Sequence, residues 1–201
     1  MAGPLVLGFD TSAAHCAAAL VSGDRLLEAR SEEMGRGQAE RLMPMLEELL
    51  AAHGHAWADL AALGVGTGPG NFTGIRIAVA AARGLALGLG IPAVGVSGFE
   101  ARAEGHEGPL WVAIGAPRGM VWLQRRDGST QGAPDLRPAA AAAALDAPLL
   151  WLSDLPAGEI AARIARIARD RRHQPLPRPA PLYLRPADAA PMREAPPVLL
   201  P

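Results

Sequence analysis

The chain has 201 residues, of which 50% are hydrophobic and 19% are charged, a balance typical of folded globular proteins that excludes a largely disordered chain. It contains 19 basic residues, all of them arginine, and 20 acidic residues, which gives a net charge of −1. The lack of lysine excludes a Walker A phosphate loop and a Schiff-base enzyme. The near-neutral charge gives no electrostatic sign of a nucleic-acid-binding surface.

Cysteine content and hydropathy favour a cytoplasmic protein without membrane contact. The single cysteine, Cys16, can form neither an internal disulfide nor a CxxC metal pair, which favours a reducing compartment. The longest uncharged runs, residues 60–75 and 84–99, are shorter than the roughly 20 apolar residues of a membrane span. Residues 1–9 have no basic side chain ahead of an apolar stretch, so a signal peptide is not expected.

The first 105 residues predict one lobe. Short apolar runs over residues 5–9, 14–21 and 25–31 are separated by turn residues and indicate an antiparallel start. Apolar residues at helical spacing predict a helix over 38–53. A strand over 60–65, a helix over 71–89 and a strand over 91–96 follow, an order that predicts a parallel pair. A short helix near 98–104 ends this lobe.

Residues 106–201 predict a smaller second lobe. Its expected elements are two strands, a short helix, a third strand and a longer helix, over residues 109–114, 120–124, 139–145, 149–152 and 159–172. The last helix has Ile160, Ile164 and Ile167 on its inner face. Nine of the 27 residues after Gln174 are proline, so an extended tail is expected from about residue 174.

The turn after the first strand and a glycine-rich loop are candidate ligand sites. Asp10 and Thr11 either hold a metal or phosphate or form a turn, and the residues alone leave both open. Gly68 and Gly70 lie in a loop that leads into a helix N-terminus, where free N–H groups can hold an anion. Its spacing is not GxGxxG, and no acidic residue follows at about 20 positions. A tight strand-to-helix turn is therefore favoured.

The helix over 71–89 is apolar on nearly every side. One stripe along it contains Arg76, Ala80, Arg83 and Leu87. A helix apolar on two sides is normally buried on two sides, so we expect another protein chain to cover the second side. Coverage by the smaller lobe is the alternative.

Other possible sites are less informative. The histidines form no HExxH zinc motif, and Ser97 lies in no GxSxG nucleophile turn. Five arginines between residues 163 and 172 could meet RNA phosphates, but a solvated helix face is the favoured interpretation.

Four segments together resemble the bacterial TsaB family of glycoprotease-like proteins, paralogues of TsaD. They are LGFDTS at residues 7–12, QAERLMPM at 38–45, GPGNFTGIR at 68–76 and PLYLR at 181–185. The third is the most specific, because it is close to the family pattern GPGSFTGLR. The resemblance covers residues 5–100 well and little of the second lobe.

The resemblance implies an actin-like, sugar-kinase-like α/β fold of two lobes, related to ribonuclease H, with a truncated second lobe. It implies a noncatalytic subunit of the machinery that installs threonylcarbamoyl on the tRNA adenosine beside the anticodon. In that machinery TsaD is the catalytic partner and TsaE a third component. ATP and magnesium would belong to the partner, so no cofactor is expected here, and tRNA would be met only through the complex.

In the family, two helices dock on TsaD, and they match residues 38–52 and 71–88 here. The residues expected at this interface are Leu42, Met45, Leu49, Arg76, Ala80, Arg83 and Leu87. Self-association of the isolated chain through the same helices stays open.

Three positions depart from the family pattern: Asn71 replaces a commoner serine, Gln38 a frequent histidine and Gly115 a frequent aspartate. These changes leave Asp10, Thr11, Gly68 and Gly70 as at most a vestigial nucleotide site. The alternative function is a free-standing ATP-dependent phosphotransferase of the same fold, with Asp10 holding magnesium. A protease ranks last, because neither a zinc motif nor a nucleophile dyad is present.

Overall fold

The computed structural model describes residues 3–128, 130–151 and 155–184. Its first sheet has five strands, which are β1 (Leu5–Asp10), β2 (His15–Ser22), β3 (Arg25–Glu33), β4 (Leu60–Gly66) and β5 (Ala93–Val96). Their order is β3-β2-β1-β4-β5, with β1 to β3 antiparallel and β4 and β5 parallel to β1. The predicted antiparallel start and parallel pair are confirmed.

Helices cover both faces of this sheet. The four α-helices are α1 (Gln38–Ala52), α2 (Phe72–Leu89), α3 (Gly98–Ala103) and α4 (Ala157–Arg171). Alternate residues of a strand point to opposite faces. Leu7 and Phe9 of β1 therefore pack with the buried residues of α1 and α2, whereas Val6 packs with α4 on the opposite face.

Helix α4 returns from the end of the chain to the sheet of the first lobe. Ile160 and Ile164 are buried there as expected, and Ile167 is half-buried. The remaining contact is made by alanines, which bring the helix backbone close to the sheet: a Cβ on Gly8 would lie 2.5 Å from the Ala161 carbonyl oxygen. Residues that follow the second sheet in sequence thus complete the core of the first lobe.

The second sheet is smaller. Its strands are β6 (Pro109–Ala116), β7 (Met120–Asp127), β8 (Thr130–Gln131), β9 (Asp135–Pro138) and β10 (Leu149–Trp151). β7 pairs with β6, β8 and β9, and β10 lies parallel to β6. Phe99 of α3 packs on one face, and a 3₁₀ helix, Ala139–Ala144, lies beside the apolar residues of the other. The sequence analysis did not predict β8 or β9.

The segment after α4 has no regular structure up to residue 184, as the prolines predicted. It joins both lobes, because the Leu182 N–H donates to the Thr67 carbonyl at 2.8 Å while Leu182 and Leu184 pack with the second sheet. Tyr183 stacks on Phe72 at the start of α2, with ring centroids 4.8 Å apart. Arg185 and the rest of the predicted tail lie outside the described residues.

Candidate functional site

The glycine-rich loop lies directly on the turn that follows β1. The Asn71 N–H donates to the Ser12 carbonyl at 2.6 Å, and the Thr11 hydroxyl donates to the Gly74 carbonyl at 2.7 Å. A Cβ on Gly74 would overlap the Thr11 carbonyl, and one on Gly70 would overlap that of Ser12. Close packing within the chain therefore accounts for these two glycines without a bound phosphate.

The N-terminus of α2 is capped from within. The Asn71 side chain accepts a hydrogen bond from the Gly74 N–H at 2.9 Å, which satisfies one of the free donors of the first turn. Asn71, which departs from the family's commoner serine, thus acts as an N-cap residue.

The Asp10 carboxylate is engaged within the chain. It is buried and accepts hydrogen bonds from the Ser12 N–H at 3.1 Å and the Ser12 hydroxyl at 2.8 Å, with His15 Nε2 at 2.8 Å from the same oxygen. Burial works to raise the pKa of Asp10, but His15 and Ser12 outweigh it and lower that pKa. The carboxylate therefore stays ionised and holds the turn together.

The residues of the predicted vestigial nucleotide site lie together, and part of their polar groups is used within the chain. The structure brings Asp10, Thr11, Gly68 and Gly70 together at one edge of the first sheet, as a nucleotide site would require. However, the Thr11 hydroxyl and one oxygen of the Asp10 carboxylate, Oδ2, are engaged in hydrogen bonds within the chain. Within the described residues, His, Cys, Asp and Glu form no group of three that could hold a metal ion.

The outer side of α2 is exposed. Arg76, Ala80, Arg83 and Leu87 all lie on it, and Leu87 is 84% exposed. Neither arginine forms an ion pair with a described residue. The Arg76 guanidinium lies 5.2 Å from the centre of the Phe72 ring. This side of the helix therefore combines apolar area with two uncompensated cations.

By length and composition alone, α2 could also span a membrane, since its 18 residues have a mean hydropathy of 1.4 and 28% of them are buried. Ile75 and Val79 on the inner side pack on the first sheet. Such a hydropathy is expected of a helix that is apolar on both sides, one of which packs inside its own chain.

The expectation for α1 was wrong at three positions. Leu42, Met45 and Leu49 are fully buried in the core of the first lobe, so they cannot meet a partner. An apolar helical stripe is the signature of a core-facing side as much as of an interface. The outward residues of α1 are Glu40, Pro44, Glu47 and Ala51.

The exposed sides of the two helices form one surface, because α1 and α2 contact each other on the same face of the sheet. We call it the α1–α2 surface: Glu40, Pro44, Glu47 and Ala51 of α1 with Arg76, Ala80, Arg83, Gly84 and Leu87 of α2. Acidic residues lie on one helix and basic residues on the other. The arrangement fits a protein partner with charges of both signs.

A cleft of about 920 Å³ opens between the two lobes beside the glycine-rich loop. Gly115 of β6 lines it, and so does Arg102 of α3. The sequence analysis missed Arg102, because an arginine between Glu100 and Glu104 in a short helix gives no local sign of burial.

Comparisons with known proteins agree with this architecture. A family model described as TsaD, tRNA N6-adenosine threonylcarbamoyltransferase, matches residues 31–189. TsaB of Escherichia coli is 36% identical over 61% of this chain and 51% of that protein, so the chain spans about half of this curated relative. An uncharacterized protein of Mycobacterium tuberculosis is 35% identical over 93% of this chain and 94% of its own length.

Among solved structures, YeaZ from Pseudomonas aeruginosa superposes with a TM-score of 0.69 and 27% identity, covering 90% of this chain and all of that one. A mixed first sheet with helices on both faces and a smaller second sheet define a two-lobed α/β protein of the actin-like, ribonuclease H-related class. Within that class, the chain belongs to the TsaB family.

Proposed function

We propose that this chain is a noncatalytic subunit in the biosynthesis of threonylcarbamoyladenosine in tRNA, and that it binds TsaD through the α1–α2 surface. The observation that carries the proposal is the outer side of α2, where Leu87 is 84% exposed and Arg76 and Arg83 have no ion-pair partner among the described residues. The names of the TsaB relatives and of the TsaD family model support the pathway.

The chemistry of α2 suits a helix-to-helix interface. Ala80 and Gly84 have small or no side chains and are exposed, so a partner helix can approach its backbone closely. Arginines and apolar residues at the centre of an interface commonly carry most of its binding energy. Glu40 and Glu47 on α1 add negative charge beside the positive charge of α2. This arrangement favours a partner with complementary charges.

Two observations support the noncatalytic role. The Thr11 hydroxyl and Asp10 Oδ2 are engaged in internal hydrogen bonds, and the chain contains no lysine to bind phosphate. ATP and magnesium would then bind the partner, TsaE would join the same assembly, and tRNA would be met through it. Such a complex would work in the cytoplasm and away from membranes.

Binding to TsaD from the same organism tests the proposal. Ala80→Arg places a charged side chain at the centre of the surface, and we expect at least a tenfold loss of affinity by calorimetry. Ala133→Arg is the matched control, because Ala133 is exposed on the second lobe. Leu49→Arg is not a useful variant, since that side chain is buried and its replacement would unfold the lobe.

Two results would overturn the proposal. One is unchanged TsaD binding by both Ala80→Arg and Leu87→Asp, which would remove the docking surface. The other is full threonylcarbamoyladenosine content in tRNA from cells that lack this chain. Sedimentation of the isolated chain and of Ala80→Arg shows in addition whether the same surface supports self-association.

A further inference from the structure

The interlobe cleft has a mainly apolar lining, to which Ser12, His15, Gln38 and Asn71 add polar side chains. Its walls include Ile114 and Trp122 from the second sheet, Ile160 from α4, and Leu182 and Tyr183 from the segment after α4. Its volume of about 920 Å³ is that of a site for a small organic molecule. Among the described residues, no aspartate or glutamate lines it.

Arg102 is the one arginine among the described residues that line the cleft. The residue is 4% exposed, and its Nη1 donates to the Gly98 carbonyl. Its Nε is buried and has no hydrogen-bond partner in the described part of the chain. No described carboxylate lies within 4.0 Å of the guanidinium. Asp10, whose charge attracts it, is hydrogen-bonded to His15 and Ser12 instead.

Burial works against the charge of Arg102. It lowers the pKa of the guanidinium to about 10, with Asp10 partly opposing the shift and Arg163 adding to it. The group nevertheless stays protonated at neutral pH. A buried charge without a hydrogen-bonded counterion is unfavourable, so a negatively charged group in the cleft would gain both a donor and a charge partner.

We propose that the interlobe cleft binds a small organic anion, whose acidic group meets the Arg102 guanidinium while its apolar or aromatic body lies against Trp122, Ile114 and Tyr183. A single negative charge matches the single arginine. A nucleoside triphosphate fits less well, because the cleft offers one guanidinium for several charges. This site does not depend on docking to TsaD, since Arg102 and Trp122 lie outside the α1–α2 surface.

Two dyes that differ only in their charged group test the proposal on the full chain. 8-Anilinonaphthalene-1-sulfonate has an aromatic body with a sulfonate, and N-phenyl-1-naphthylamine is the same body without it. We expect fluorescence titration to show the sulfonate binding at least tenfold more tightly. Arg102→Met should reduce the sulfonate to the affinity of the neutral dye and leave the neutral dye unchanged, whereas Arg102→Lys should keep part of the preference.

Two further variants locate the dyes. Ala116→Trp places a large ring in the cleft, because Ala116 lines it and lies on the same face of β6 as Ile114, and this variant should abolish binding of both dyes. Ala80→Arg on the α1–α2 surface should leave both affinities unchanged.

The proposal is overturned by equal affinities of the two dyes for the natural chain, by sulfonate binding that survives Ala116→Trp, or by sulfonate binding that Ala80→Arg removes. If circular dichroism shows that Arg102→Met does not fold, the comparison of the two dyes on the natural chain and on the Ala116→Trp variant still decides it.

Discussion

Helices α2 and α4 lie on opposite faces of the first sheet, and both have arginines on their outer sides, but these arginines are used differently. On α4, Arg166 binds Glu104 at 2.8 Å and Glu159 at 2.9 Å. Three other arginines of this helix pair with Glu159, Asp24 and Glu100. On α2, Arg76 and Arg83 have no such partner among the described residues.

The difference separates arginines that hold the chain together from arginines without an ion pair in the described part of the chain. Arg163 donates to the carbonyls of Arg102 and Glu104 at the end of α3, and thereby joins α4 to the connection between the lobes. The five arginines between residues 163 and 172 therefore bind groups of their own chain. They form neither a free RNA-binding patch nor the solvated helix face that the sequence favoured. The cations of α2 keep their full capacity to bind.

The largest expected effect concerns the inner side of α4. Ile164→Ala should lower the free energy of unfolding by about 2–5 kcal/mol, because it leaves a cavity in a fully packed contact. Leu87→Ala on α2 should change it by less than about 0.5 kcal/mol, because that side chain is exposed. Urea denaturation of both variants checks this, and equal losses would break the contrast between the two helices.

The ion pairs of α4 give the next effect. Arg166→Gln should lower the free energy of unfolding by about 1–2 kcal/mol, since it removes partly buried hydrogen bonds to two carboxylates. Arg83→Gln should leave stability unchanged while weakening TsaD binding. A comparable loss of stability in Arg83→Gln would mean that this arginine has an internal role.

A smaller effect depends on pH and on Glu100, which joins α3 to α4 through Arg171. Burial works to raise the pKa of Glu100, but hydrogen bonds from the Ser97 backbone, Arg171 and the Ser97 hydroxyl outweigh it and lower that pKa below the usual 4.5. A carboxyl group whose pKa is lower in the folded state than in the unfolded state stabilises the fold at pH values above its unfolded-state pKa. This stabilisation is lost as the pH falls through the folded-state pKa.

Glu100→Gln should therefore lower the free energy of unfolding by about 1 kcal/mol at pH 7, and the difference should shrink towards zero as the pH falls below about 4. Denaturation at pH 7, 5 and 3.5 measures it, with Glu47→Gln on the exposed side of α1 as the matched control. A difference that does not change with pH would contradict the role of the charge.

The smallest effect has the opposite sign. Gly84 lies within α2, where a Cβ would meet no atom within 4 Å, so Gly84→Ala should stabilise the isolated chain by about 0.5–1 kcal/mol. The same variant should weaken TsaD binding if the partner approaches the backbone of α2. Higher stability with full binding would show that the interface does not need this glycine.

Much of the fold was predictable from local patterns. The strands and helices of the first lobe follow alternation and helical spacing in the sequence, and even the ends of α1 and β5 lie within two residues of their predicted positions. The two strands that were missed, β8 and β9, lie among the turn-forming and charged residues of 127–138, where the sequence has no apolar run or alternation to indicate a strand.

The candidate site was less predictable, because periodicity identifies an apolar side but not what covers it. Leu42 and Leu87 are both leucines on amphipathic helices, yet the first is buried against the sheet and the second is exposed. Likewise, nothing in the pattern of α4 indicates which sheet it packs on. The position of Arg102 depends on contacts between segments far apart in sequence, which no local pattern reports.

The return of α4 to the first sheet also constrains how the protein is made. When residue 105 leaves the ribosome, all strands of that sheet exist, but the face with Val6, Ala62 and Val94 has no cover until residues 157–171 have been synthesised. The nascent chain must therefore carry an open β-sheet face throughout translation of the second lobe, a stage at which chaperones are most needed. A fragment that ends near residue 105 would keep that face open permanently.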